Sequence, residues 1–280
     1  MAEITAEMVK RLRDDTQVSM MECKKALQDS GGDFELAKQK LREAGKKTMA
    51  ARADRATGEG RIAICCGIGR KTAAMIELQC ESAPVATNEE FVELAHDLAR
   101  QLADGPGAKT AEELWAQHSP SKKGQTLADQ RDAIQNKIRE VFRLSRLERV
   151  EGSCGGYVHH DGKTGVLLRA DGGQDELAKD VAMQIVAMRP AALSKEDLDP
   201  ALVQREKEFL IDAARKEGKP ENILEKMVEG RLKNFFAERV LTEQPFIKDD
   251  KQTVGAVTNA GGMKLLKFHR WQLGETTTAS

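Results

Sequence analysis

An α+β fold is predicted for this chain on three grounds. Residues 4–44 carry three short helical patterns, each opened by a side chain suited to capping. Two β-rich runs, each doubled back at a glycine turn, are each followed by an amphipathic helix. Late in the chain, two long helices meet at Glu217-Gly218-Lys219-Pro220, where Gly218 suits a helix end and Pro220 a first helical position.

Thr5 is placed to cap the first helix, with Ile4 and Val9 spaced as a hydrophobic staple and Val9 and Leu12 as its apolar face. The second helix opens at Ser19. Glu22, three positions on, completes a capping box, and Val18 and Cys23 are spaced to staple it. Gly31-Gly32 ends that helix, and Asp33 caps the third, whose Leu36, Ala37 and Leu41 recur at helical intervals before Gly45. Met20 and Met21 are consecutive, and neighbouring helix positions lie about 100° apart, so one core-facing stripe does not easily cover both. Two readings stay open: both thioethers in a small core, or one at the surface beside Lys24 and Lys25 as a partner contact.

Residues 46–60 read as a partly helical linker whose Lys46, Lys47, Arg52 and Arg55 form a solvated basic run. Residues 61–66 and 72–80 flank a Gly67-Ile68-Gly69-Arg70 turn as the first hairpin. Residues 155–160 and 165–169 flank Asp161-Gly162-Lys163-Thr164 as the second. After the first, Thr87 and Glu90 suit a capping box, and Phe91, Leu94, Leu98 and Leu102 line one face; after the second, Leu177, Val181, Ile185 and Met188 do so up to Pro190. Between them, residues 125–150 read as one long amphipathic helix with Ile134, Ile138 and Phe142 on its stripe. Residues 194–240 read as an antiparallel helical hairpin projecting from the body, with Ile223, Met227 and Leu232 facing Leu202, Phe209 and Ala213. Residues 263–272 suit a last strand and 275–280 a disordered tail. The expected division is a helical domain at 1–46, a linker at 47–60, a core subdomain at 61–150, and a second core subdomain at 151–280 carrying the hairpin at 194–240.

The 280 residues hold 44 Lys plus Arg against 45 Asp plus Glu, a balance that argues against a general nucleic-acid binder. Aromatics are only 4%, leaving little to stack on bases. No apolar stretch has the length of a membrane span, no apolar signal follows Met1, and the five scattered cysteines suit reduced thiols, so a soluble cytoplasmic protein is expected. Cys65, Cys66, Cys80 and the His159-His160 pair lack zinc-ligand spacing. Gly152-Ser153-Cys154-Gly155-Gly156 departs from the G-x-S-x-G elbow and precedes a strand, so its glycines read as a flexible lead into the hairpin. No phosphate loop or dinucleotide fingerprint is present. An enzyme is not expected, and neither a metal nor a cofactor.

A series of motifs resembles the elongation factor Ts family over almost the whole chain. It runs through Leu12-Arg13, Thr16 with Met20-Met21-Glu22-Cys23-Lys24-Lys25-Ala26-Leu27, Gly32-Asp33, Glu77-Leu78 with Cys80-Glu81, and Asn88-Glu89-Glu90-Phe91. It continues through Tyr157-Val158-His159 with Gly165-Val166-Leu167 and Gly218-Lys219-Pro220-Glu221-Asn222-Ile223. It closes on Glu225-Lys226-Met227-Val228-Glu229-Gly230-Arg231-Leu232, Gln244-Pro245-Phe246-Ile247-Lys248 and Thr253-Val254-Gly255. The motifs are specific in this order. The resemblance implies a ubiquitin-associated-like three-helix domain, a core of two α+β subdomains and an antiparallel coiled-coil insertion. It implies a nucleotide exchange factor that grips elongation factor Tu, GDP-bound or nucleotide-free, disturbs its phosphate and magnesium sites and releases GDP without bond chemistry. It implies no direct nucleic acid or membrane partner, and leaves open a homodimer through the core or a 2:2 complex.

Carried over by position, Arg13, Met20, Met21 and Lys24 match partner contacts on the first two helices, Ile138 and Arg139 a core-helix contact, and Ile247 and Lys248 a contact loop. Ser82, Ala83, Pro84 and Val85 match the segment that dislocates the partner's magnesium. The departures are specific. The family's Thr-Asp-Phe-Val is here Ser82-Ala83-Pro84-Val85, without the acid or the aromatic wedge. A usual histidine is Gln184, which is expected to contact the partner in its place, a usual glycine is Arg139, and Gln17-Val18-Ser19 replaces a Gly-Ala-Gly turn, which should stiffen the first interhelix loop. The lost wedge raises a second expectation, a binding or scaffold protein for the same GTPase that no longer drives exchange.

Overall fold

The computed structural model describes residues 3–217 and 221–275. Helices α1 (Ala6–Thr16), α2 (Met20–Asp29) and α3 (Phe34–Ala50) form a head. Strands β1 (Glu59–Cys65) and β2 (Thr72–Cys80) make a hairpin, followed by α4 (Ala83–Ala86), α5 (Glu89–Asp104), α6 (Ala111–Trp115) and α7 (Leu127–Ile138). Strand β3 (Arg143–Glu151) then pairs antiparallel with β2. A second hairpin, β4 (Cys154–Val158) and β5 (Thr164–Gly172), leads to α8 (Asp175–Met188) and the long helices α9 (Pro200–Lys216) and α10 (Glu221–Arg239). The ribbon β6 (Pro245–Phe246) and β7 (Asp249–Thr253), then α11 (Val254–Ala260), precede β8 (Met263–Gln272), which pairs antiparallel with β5. The fold is α+β, as expected.

Capping side chains explain the head's boundaries. Thr5 Oγ accepts from the Met8 N–H at 3.3 Å, Ser19 Oγ from the Glu22 N–H at 3.4 Å, and Asp33 Oδ1 from the Leu36 N–H at 3.0 Å. Val9, Leu12, Val18, Cys23, Ala26, Leu27 and Ala37 fill its core. Between α1 and α2, Gln17 takes the left-handed conformation (φ 57°) that a glycine adopts without strain. Helix α3 does not end at Gly45 but continues to Ala50, and the glycine marks where α3 crosses α7: a Cβ there would lie 1.7 Å from Asn136 Oδ1.

The body is two three-stranded sheets set face to face with helices on the outside. Ile62, Ala73 and Met75 of the first sheet meet Cys154, Leu167 and Trp271 of the second. The other face of β2, with Ala74, Ile76 and Leu78, packs on α5, α6 and α7; the outer face of the second sheet, with Val166 and Leu168, packs on α8 and α11. Strands alternate their side chains, so burial on both faces turns β2 into an almost unbroken apolar run. Gly155 marks a close approach rather than a flexible lead: a Cβ there would fall 2.2 Å from the Ala178 Cβ on α8.

The expected helix over residues 125–150 is overturned. Helix α7 stops at Ile138 because Arg139 turns left-handed (φ 65°), with its N–H on the Gln135 carbonyl, and β3 follows. Both halves of the body therefore share one plan: a hairpin, helices, and a third strand returning to the hairpin's second. The α5 cap is Asn88, accepting from the Glu90 and Phe91 N–H groups, rather than Thr87, whose hydroxyl donates to the Pro84 carbonyl. In the α9–α10 pair Leu202 and Leu232 meet in one cluster with Phe235, as expected, but further along the buried positions are Leu210, Ala214, Leu224 and Val228, one residue on from the expected register, and Phe209 is 66% exposed. The stretch before α9 is a 3₁₀ turn, Lys195–Asp197, not helix. The expected Gly218 and Pro220 junction, the Ile223 side chain and the tail beyond Glu275 lie outside the described residues. Glu275 itself closes a turn on Gln272.

Glu77, 1% exposed on β2, joins the two sheets. Its carboxylate accepts from Arg146 Nε at 2.9 Å, Ser145 Oγ at 2.9 Å and Gln79 Nε2 at 2.7 Å. The Arg146 guanidinium donates to the Gln272 carbonyl at 2.7 Å and lies 4.5 Å over the Trp271 ring. Removing one partner of a buried pair strands the other charge. Glu77→Ala is expected to lower unfolding free energy by about 3–5 kcal/mol, read by urea denaturation; a loss under about 1 kcal/mol would show that this contact does not hold the sheets together.

Candidate protein-interaction surface

Helix α2 exposes both methionines, Met20 at 45% and Met21 at 77%, so the reading with both in the core is overturned. The stripe of α2 that faces the head's core is Cys23, Ala26 and Leu27, a narrow face that leaves the first turn outward. Lys24 and Arg13 are exposed beside it, Arg13 in the last turn of α1 and 3.8 Å from Asp14.

Residues 138–140 connect this surface to the body. Ile138 is half-buried against the first sheet's core, and Arg139 is exposed. The Arg139 guanidinium pairs with the Glu22 carboxylate of α2, and its carbonyl accepts from Arg52 Nη1 at 2.9 Å. Glu22 also accepts from the Ser19 hydroxyl at 2.5 Å. The Ser19 hydroxyl first, and then Arg139, hold the Glu22 carboxyl below its usual range.

The next residue, Glu140, organises the 82–85 segment. Its carboxylate accepts from the Glu81 N–H at 3.1 Å, the Ser82 N–H at 3.1 Å and the Ser82 hydroxyl at 2.5 Å. Glu81 accepts in return from the Val141 N–H at 2.9 Å. The segment is thereby fixed as the single turn α4, with Ala83 and Pro84 exposed and Val85 buried. Glu140 carried no signal in the sequence, since its partners stand almost sixty residues away.

The third group stands apart, in the second half of the body. Gln184 is fully buried, so its side chain is not a surface contact. Its amide donates to the Gln244 side chain at 3.1 Å and the Pro245 carbonyl at 2.9 Å, and its oxygen accepts from the Ile247 N–H at 2.8 Å. Phe246 beside it is buried in the second core, which leaves Ile247 56% exposed. Lys248 reaches back to Asp180 at 2.7 Å.

Nothing in these groups resembles a catalytic centre. Burial pushes the Cys80 and Cys66 thiols up to about 12 and Cys154 to about 11, so little thiolate exists at neutral pH. His159 sits 3.0 Å from Asp161 at the second hairpin's turn, ring against ring with His160 at 4.1 Å. Among the described residues no cluster of His, Cys, Asp or Glu is arranged to hold a metal ion, and no helix is long and apolar enough to cross a membrane.

Gln184→Leu keeps the volume but leaves the Pro245 carbonyl and the Ile247 N–H unpaired. A loss of about 1–3 kcal/mol of stability is expected, with faster amide exchange at Ile247. Unchanged exchange there would mean that Gln184 does not hold the loop.

A family model described as elongation factor TS matches residues 81–275. Relatives described as elongation factor Ts include one from Azoarcus sp. (strain BH72), 42% identical, covering 98% of this chain and 92% of the relative. One from Nitratidesulfovibrio vulgaris (strain DP4) is 40% identical over 99% of this chain and 98% of its own length, and one from Aquifex aeolicus (strain VF5) is 42% identical over 97% and 98%. With the family model spanning most of the body and these relatives aligning from head to last strand, the chain belongs to the elongation factor Ts family.

Proposed function

We propose that this protein binds elongation factor Tu in the cytoplasm and accelerates release of its GDP, so that GTP can rebind. The observation carrying this reading is the pair of exposed thioethers, Met20 and Met21, held beside the end of α7 and the α4 turn by Glu22, Arg139 and Glu140. Flexible, polarisable side chains next to Lys24 and Arg13 suit a partner surface of mixed character. Ile247 and Lys248 supply a second contact. In this reading the head is a ubiquitin-associated-like domain bounded near residue 46, and α9–α10 is a coiled-coil insertion. The factor acts as a homodimer through its core or in a 2:2 complex with the GTPase.

The thermodynamics need no bond chemistry. A factor that binds the nucleotide-free GTPase more tightly than the GDP form weakens GDP binding by the same ratio that GDP weakens its own. The segment reaching the partner's magnesium site acts here through backbone shape. Pro84 fixes one φ and Glu140 ties down the turn, so α4 presents itself without an ordering cost on binding. The same segment favours a second reading, a scaffold that binds without exchange, because Ala83 and Pro84 supply no aromatic wedge.

Labelled GDP leaving elongation factor Tu from the same organism separates the two. Acceleration by catalytic amounts of this protein is expected, whereas tight binding with an unchanged rate would establish the scaffold. Met20→Ala with Met21→Ala should weaken the complex by about tenfold with little change in stability. Pro84→Gly should slow exchange by roughly threefold to tenfold; an unchanged rate would remove α4 from the mechanism.

A further inference from the structure

The junction between head and body is polar and loosely packed. Among the described residues, each buried apolar cluster lies wholly within the head or wholly within the body. The helices touch closely where Gly45 of α3 meets Asn136 of α7. Clefts of about 380, 470 and 320 Å³ flank that crossing, lined on one side by the head and α3 and on the other by α7 and the start of β3. What spans the gaps is charge. Arg42 pairs with Asp129, Lys46 with Asp132 at 3.3 Å and Arg55 with Glu81 at 3.1 Å, while Arg143 donates to the Ala53 carbonyl at 3.1 Å.

Arg139 is the member of this set that reaches back to α2 itself, and it does so from a strained backbone. A non-glycine residue in the left-handed region sacrifices stability, as Gln17 and Arg189 also do at their helix ends, and Arg139 differs in that its side chain reaches across to Glu22 of the head. We infer that Arg139 is a positioning residue: by holding Glu22 and accepting Arg52 it fixes the pose of the head, and the presentation of Met20 and Met21 depends on this ionic latch rather than on apolar docking. A guanidinium engaged with Glu22 in this way acts on the partner through the head. The inference rests on the proposed function only for its binding consequence; the latch itself is a property of the free chain.

Arg139→Gly separates the two roles of the residue, because glycine eases the left-handed turn while deleting the guanidinium. The melting temperature is expected to stay level or rise. Head amides, compared with body amides by ¹⁵N relaxation on the full chain, should then tumble measurably faster than the body, as they should in the wild type at 1 M salt, where screening acts over about 3 Å. Affinity for elongation factor Tu should fall roughly two- to fivefold in Arg139→Gly and in Glu22→Gln, and the double variant should lose no more than either alone. Equal head and body tumbling in Arg139→Gly would overturn the latch. So would a binding loss in Arg139→Gly that adds in full to that of Glu22→Gln, which would make Arg139 a direct contact. A wild-type chain that failed to bind the GTPase would remove the proposed function and leave the tumbling comparison to decide the latch.

Discussion

The left-handed turn at Arg139 is the constraint on which the joining of head and body depends. It ends α7 and sends the chain into β3, completing the first sheet. Its side chain and carbonyl receive Glu22 and Arg52 from the head, and the next residue, Glu140, fixes the turn that holds Ala83 and Pro84. Three segments far apart in sequence are thereby joined through two consecutive residues. Each ion pair at such a surface contributes modestly, about 1 kcal/mol or less. Their combined effect is geometric: they choose one orientation of the head among those that a narrow helix crossing would permit.

The body supplies the rigidity against which that orientation has meaning. Its sheets share an apolar interface and a buried carboxylate–guanidinium contact at Glu77 and Arg146, so the first sheet cannot shift without disturbing the last strand. In the second half, Gln184 performs a similar service on a smaller scale. It satisfies the backbone polar groups around Phe246 and leaves Ile247 outside. Residues that match family contact positions therefore differ in what their side chains meet: Met20, Met21, Lys24 and Ile247 are exposed, Arg139 is exposed but paired with Glu22, and Gln184 is buried.

Much of the fold was legible because its signals are local. Caps at Thr5, Ser19 and Asp33, the glycine turn of the first hairpin and the apolar stripe of α5 each lie within a few residues of what they determine. The reading failed where the local signal had been replaced. A glycine at position 139 would have announced the end of α7; with arginine there, the spacing of Ile134, Ile138 and Phe142 ran on as a helix and concealed β3. That strand is rich in Arg and Glu because its polar side chains pair across to Glu77 and His269, partners that no short window contains. In the basic run at 46–55, Lys46, Lys47 and Arg55 are exposed as expected, but the ion pairs of Lys46 and Arg55 were hidden for the same reason, since the acids they meet lie on α7 and after β2.

By itself, the sequence determined the α+β class, the order of head, hairpins and helices, the family motifs and the positions where contact residues are matched. Hydrogen bonds between near neighbours and the periodicity of apolar residues govern those features. Only the tertiary structure decided that both methionines face outward, that Gln184 is buried, and that Glu22, Arg139, Glu140 and Ser82 meet at one junction. Those outcomes depend on which faces remain after the cores are filled and on charges brought together by the crossing of α3 and α7, and neither quantity exists until the chain is folded.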